Sequence, residues 1–180
     1  MSIEPHFVER KKNTALAFLD LPVSDHMMTS RTHAASRTLI APPRAIFRAF
    51  LDPEVIPKWR VPAQMDARIL SFEGRIGGGY RMELIYRYPA KADPKSTGDS
   101  DIVEARFVEL VPDEKIVEEL VFEGADPRFM GKMTLTTTLK AVANGTKVSF
   151  QAEQVPSGIS EADHVAGMEF ALKNLAFLLE

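Results

Sequence analysis

The chain contains no cysteine. That excludes disulfides, thiolate metal sites and a cysteine nucleophile, and it suits a reducing compartment, so a cytoplasmic location is expected. No apolar run approaches the roughly 20 residues of a membrane span, and no membrane association is expected. The N-terminal stretch carries charges and lacks an apolar signal-peptide core followed by small cleavage residues. With a net charge of −3 and no dense Lys/Arg cluster interleaved with aromatics, nucleic acid is not an expected partner. His6, His26 and His33 show no spacing with Asp or Glu that would hold a metal, so no metal is expected. Gly74 and Gly77 to Gly79 do not open a helix, which argues for turn chemistry over a phosphate cradle. No nucleophile-elbow motif supports Ser-His-Asp catalysis. No cofactor is expected.

What is present is enough apolar residue, 45% of 180, to build one domain with a core. The best-defined element is the last one. Ser160 begins a Ser-x-x-Asp pattern with Asp163, an acidic variant of the capping box at the positive end of a helix dipole. Val165, Met168, Leu172, Leu175 and Leu179 follow at spacings of three and four, a stripe on one helix face. A helix of this length cannot bury that stripe alone. Upstream, the pattern predicts strands over 33–40, 67–72, 78–88, 101–111, 115–122, 132–142 and 147–154. Two short helices are predicted after the first strand. One starts at Pro43 with Ile46, Phe47 and Phe50 inward, and one follows Asp52-Pro53 through Val55, Ile56 and Trp59. Pro112-Asp113 and Asn144-Gly145 mark tight turns. Consecutive antiparallel strands with segregated helices predict an α+β fold.

Residues 1–30 read as an N-terminal extension and 31–180 as the domain. Phe7, Val8, Ala15, Leu16, Phe18 and Leu19 fit a short amphipathic helix, ended by Leu21-Pro22. The extension is either flexible, with Met27 or Met28 near the start of the regular pattern, or a docking segment. Phe170 and Phe177 point away from the main stripe and ask for a second packing partner, within the chain or from another copy in a homodimer.

Several short stretches resemble a known family. Ala41-Pro42-Pro43 with Ile46-Phe47, then Asp52-Pro53 and Lys58-Trp59, resemble the start of SRPBCC (START-like) domains, and more narrowly the activator of Hsp90 ATPase homologue type. Gly78-Gly79-Tyr80-Arg81-Met82 resembles its Gly-Gly-aromatic strand start. Glu109 to Val117 resembles its Glu-x-x-Pro-x-x-Arg-Leu-Val hairpin, and Gly145-Thr146-Lys147-Val148 its Gly-Thr-Arg-Leu strand. His164 to Met168 resembles its His-x-x-Gly-Trp helix, with Met168 where a tryptophan is usual. The likeness runs from about Arg31 to Leu179. It implies a helix-grip architecture, a curved antiparallel sheet wrapped around the C-terminal helix with an internal cavity. It also implies binding of a small hydrophobic molecule. Wall residues on that reading are Trp59, Met82, Leu84, Tyr86, Phe107, Glu118, Leu120, Met133, Met168 and Leu172. Two other readings stand beside it: an enzyme of the cyclase or hydrolase kind, and a module that acts on an Hsp90-type chaperone. Nothing in the chain matches the chaperone-binding N-terminal domain of the eukaryotic activators.

Candidate acid/base groups are Glu109, Glu118 and His164. If Val111 pairs with Ile116, Glu109 lies opposite Glu118 and Phe107 opposite Leu120. Side-chain alternation then places Ala105, Phe107, Glu109, Ile116, Glu118, Leu120 and Phe122 on one mostly apolar, inner face. Two desolvated carboxylates at that spacing would raise at least one pKa. Arg81, Arg87 and Arg106 are the available neutralising partners. The alternatives are a register displaced by one residue, which turns every side chain over, or Glu109 at a solvated cavity mouth. His164, in the first turn of the last helix, is either a titrating group at a cavity entrance or an ordinary surface histidine. Met65, Met82, Met130, Met133 and Met168 suit the wall of a pocket tolerant of varied apolar molecules.

Overall fold

The computed structural model describes residues 30–88 and 99–180. The amphipathic pattern read in residues 7–19 lies outside the described residues, as do residues 89–98. The elements, in order, are β1 (His33–Leu39), α1 (Pro43–Ala49), α2 (Ile56–Trp59), β2 (Met65–Glu73), β3 (Gly79–Tyr86), β4 (Ser100–Val111), β5 (Lys115–Glu123), β6 (Met133–Val142), β7 (Gly145–Glu153) and α3 (Glu161–Leu179). All seven strands form one antiparallel sheet in the order β1-β7-β6-β5-β4-β3-β2. The first two strands of the sequence therefore stand at opposite edges, and α1 and α2 make the crossing between them.

The fold is the α+β helix grip that the likeness implies. Alternation on β3 to β7 buries one face of the sheet, and α3 packs on that face. Met168, Leu172 and Leu175 are buried there, and Val165 and Leu179 pack against the same core half-buried. The helix starts where the sequence says it should: the Asp163 amide donates to Ser160 Oγ at 3.1 Å, and the serine hydroxyl donates to the Asp163 carboxylate at 2.6 Å. At the other end the Ile40 amide donates to Glu180 Oε1 at 2.8 Å, which ties the end of the helix to the exit of β1. Of the two aromatics expected off the main stripe, Phe170 is half-buried and Phe177 is 92% exposed.

Two glycines are fixed by close approach of the backbone. A Cβ on Gly79 would fall 1.8 Å from the Ala105 carbonyl oxygen, and one on Gly145 would fall 2.0 Å from that of Leu39. Gly145 also has φ +133°, so the β6–β7 hairpin turns through Ala143 and Asn144 and lands on a residue that only glycine tolerates.

Candidate functional site

The expected carboxylate pair does not form. Asp113 takes a positive φ of 63° in the β4–β5 turn, and Val111 pairs with Lys115, Leu110 with Ile116 and Glu109 with Val117. The register then shifts between Phe107 and Glu109, so that Phe107 faces Glu118 and Ala105 faces Leu120. A bulge at Val108 accommodates the extra residue and turns that part of the strand over. Ala105, Phe107, Ile116, Glu118 and Leu120 keep their inward positions. Glu109 leaves that set and pairs with Lys115 Nζ at 2.9 Å on the partly exposed side.

Glu118 is completely buried, and its partner is none of the arginines anticipated for it. Arg81 pairs with Glu123, Arg87 with Asp66, and Arg106 is exposed. The cation comes from Arg60, the residue that ends α2. Its Nη1 and Nη2 donate to Glu118 Oε1 and Oε2 at 2.9 and 2.7 Å, a two-pronged match of planar groups. Tyr80 donates its hydroxyl to Glu118 Oε1 at 3.1 Å. The guanidinium also lies 5.8, 5.5 and 5.6 Å from the ring centroids of Phe50, Trp59 and Tyr80. Trp59 is held by its own indole N–H, which donates to the Ala49 carbonyl at 3.1 Å, and by its contact with Phe50.

Burial works against the charge on Arg60, but the Glu118 carboxylate outweighs it, and the guanidinium is held above its ordinary pKa. Burial pushes the Tyr80 hydroxyl well above 10, with Glu118 reinforcing and Arg60 opposing the shift. Neutralised and donated to on both oxygens, Glu118 is a structural anion. The signal that could have found Arg60 was the isolated carboxylate itself: on an otherwise apolar face it demands a cation from whatever element covers that face.

An open cleft of about 610 Å³ lies elsewhere, between the β2–β5 end of the sheet and the first two turns of α3. Its apolar wall includes Met65, Leu84, Phe122, Phe129 and Ile159. Ser160, Asp163, His164 and Gly167 line it from the helix. Tyr86 also lines it and donates its hydroxyl to the buried Asp101 at 2.8 Å. Of the ten wall residues expected from the sequence, Leu84 and Tyr86 border this cleft. Trp59, Met82, Phe107, Glu118, Leu120, Met133, Met168 and Leu172 are buried in the packed core. Of the three candidate acid/base groups, His164 alone borders it among the described residues. Its Nδ1 lies 3.0 Å from Nδ1 of the buried His33, so one ring donates and the other accepts. Next to this contact, Arg31 donates to the carbonyls of Pro156 and Ile159 at 2.6 and 2.7 Å and fixes the entry to α3. Among the described residues no group of three or more His, Asp or Glu side chains could hold a metal.

The family model described as activator of Hsp90 ATPase homolog 1-like protein matches residues 40–180. The chain belongs to this family. Solved structures agree with the membership. A Chromobacterium violaceum protein is 33% identical, with a TM-score of 0.73, over 83% of this chain and 96% of that one. An Arthrobacter aurescens protein shares 15% identity and a TM-score of 0.69, over 82% of this chain and 85% of its own. One from Staphylococcus epidermidis shares 19% and 0.65, over 82% and 88%. These last two likenesses speak for the fold alone. No curated protein matches the chain. Among the described residues, no helix of this family member is long and apolar enough to cross a membrane.

Proposed function

We propose that this protein binds a small, largely apolar molecule in the cleft between α3 and the sheet. The observation that carries the reading is the 610 Å³ opening itself, walled by Met65, Leu84, Phe122, Phe129 and Ile159 beside the gripped helix. Its volume is in the range of cavities that take small ligands, typically about 300–1,000 Å³, and the wall is mainly apolar with a few polar groups. Membership of a family whose fold commonly binds hydrophobic ligands supports the same reading. The polar groups at the helix side, His164 and Ser160 with Asp163, would orient the ligand rather than react with it.

The acid/base alternative loses its main support, because Glu109 points to solvent and Glu118 is committed to Arg60. Thermal denaturation with a broad set of apolar small molecules tests the proposal. At least one should raise Tm in a concentration-dependent way. Failure of every compound, together with no co-purifying molecule in native mass spectrometry, would refute it.

A further inference from the structure

One end of the molecule carries large apolar side chains that the fold leaves uncovered. Phe177, in the last turn of α3, is 92% exposed, and Ile40, at the exit of β1, is 74% exposed. Leu178 and Val142, at the ends of α3 and β6, are exposed as well. Backbone geometry brings the four together. The Ile40 amide donates to Glu180 Oε1 at 2.8 Å, and Glu180 follows Phe177 by three residues, one turn along the same helix face. On the other side, a Cβ on Gly145 would lie 3.1 Å from the Ile40 Cα, and Gly145 pairs with Val142. Single exposed apolar residues need no explanation, but a contiguous group of large ones marks an interaction site. This group is well removed from the cleft, since Phe177 stands about 15 Å along the helix beyond Gly167.

The charges around the group are of both signs. Lys140 and Lys147 are exposed and directly opposite each other on β6 and β7, a position in which like charges repel. Glu114 is exposed in the β4–β5 turn, and its carbonyl accepts from the Leu139 amide at 2.7 Å, beside Lys140. Glu180 is exposed at the end of α3. Among the described residues none of these four forms an ion pair. Cations alone would suit nucleic acid or an anionic bilayer. A face that meets its own copy across a twofold axis needs both signs, because whatever one copy offers the other must complement.

We propose that this end of the fold is the face through which two copies of the chain pair. Phe177, Ile40, Leu178 and Val142 form the apolar centre. The lysine pair of each copy lies against carboxylates of the other, which relieves the repulsion between Lys140 and Lys147. An apolar centre inside a charged rim is the ordinary anatomy of such an interface. The cleft stays open in both copies.

Sedimentation velocity on the full chain, at micromolar and at submillimolar concentration, tests this. The wild type should pass from one copy to two as concentration rises. Phe177→Ser and Ile40→Ser should each raise the dimer Kd about tenfold or more. Lys140→Glu/Lys147→Glu should raise it too. Because both apolar positions are exposed, the Tm of the dilute serine variants should match that of the dilute wild type. A wild type that stays a single copy at submillimolar concentration would overturn the proposal, whether it stays free or binds phosphatidylglycerol vesicles. A dimer that neither serine variant weakens would use another face and would overturn it as well. A dimer weakened by serine but indifferent to lysine reversal would overturn the pairing of charges. A lower Tm for dilute Phe177→Ser would show that the ring serves its own chain, and the proposal would fall.

Discussion

Arg60 and Glu118 meet through two parallel hydrogen bonds, 2.9 and 2.7 Å long, although 58 residues separate them and the carboxylate has no contact with solvent. The pair pins the end of α2 to the centre of the sheet. A buried ion pair adds little over a well-packed apolar substitute, but removing one member strands a charge in the core. Glu118→Met or Arg60→Met should each cost about 3–5 kcal/mol. The double variant Arg60→Met/Glu118→Met should be more stable than either single one. Urea denaturation of the four proteins measures this as a double-mutant cycle, and additive losses would show that the two residues act independently.

The Tyr80 hydroxyl gives the fold an alkaline limit. Its pKa is raised in the native state, so the native protein keeps this proton at a pH where the unfolded chain, titrating near 10, has lost it. The stabilisation is full below about 10 and declines as pH rises from there toward the native value. Tyr80→Phe should therefore flatten the fall of stability above about pH 10, as followed by Tm against pH. A fall of unchanged steepness would assign the alkaline loss to other groups.

At low pH the sign reverses. Arg87, Arg81 and Arg128 hold Asp66, Glu123 and Asp126 below their ordinary values by direct hydrogen bonds. Their contribution is present above the unfolded-state values near 4 and is lost as pH falls through the lower native ones. These pairs are solvent-exposed, so the effect should be small and should shrink in about 1 M salt. Acid titrations of Tm at two ionic strengths measure it, and a salt-independent curve would remove these pairs from the account.

Thr137 lies fully buried on β6, paired with Phe150 and Ile116, and its hydroxyl has no hydrogen-bond partner among the described residues. A stranded hydroxyl costs about 1–3 kcal/mol in an apolar setting. Thr137→Val keeps the shape and the β-branching, so it should raise stability by about 1 kcal/mol. A loss of that size instead would reveal an ordered water on Oγ1.

Gly145 cannot take a side chain without a backbone clash. Its positive φ and the Leu39 carbonyl 2.0 Å from a built Cβ predict that Gly145→Ala costs about 2 kcal/mol or more. A lowered midpoint of chemical unfolding with an unchanged m-value would be the expected signature.

Periodicity and turn chemistry located the seven strands and three helices of the described residues, because each apolar face had to match a single inner surface. The likeness carried by Gly78-Gly79-Tyr80 and Gly145-Thr146 supplied their arrangement. What escaped the sequence was register within the β4–β5 hairpin. The positive φ of Asp113 displaces pairing by one residue and the bulge at Val108 by a second, which brings the inward facing back but with other partners, and neither has a strong local signature. Arg60 escaped for a different reason. A buried cation is chosen by tertiary proximity, and three other arginines lay nearer to Glu118 in sequence or strand order. The helix strip from Ser160 to Gly167 was in view as a cap and a motif, but its open side depends on where Phe122 and Phe129 come to rest.

The clamp from Arg31 to the Pro156 and Ile159 carbonyls, with β1 laid along β7, joins the first described residues to the stretch that leads into α3. A chain made from its N-terminus at about 5–20 residues per second must hold β1 without a partner until β7 appears. For those seconds β1 has neither a sheet neighbour nor a helix to cover it. Contacts of such long sequence separation also make folding slow relative to a helical bundle of this size. Ser36, Arg37 and Thr38, polar and exposed along β1 in the finished fold, are well suited to that wait, since a polar stretch of edge offers other nascent chains little to pair with.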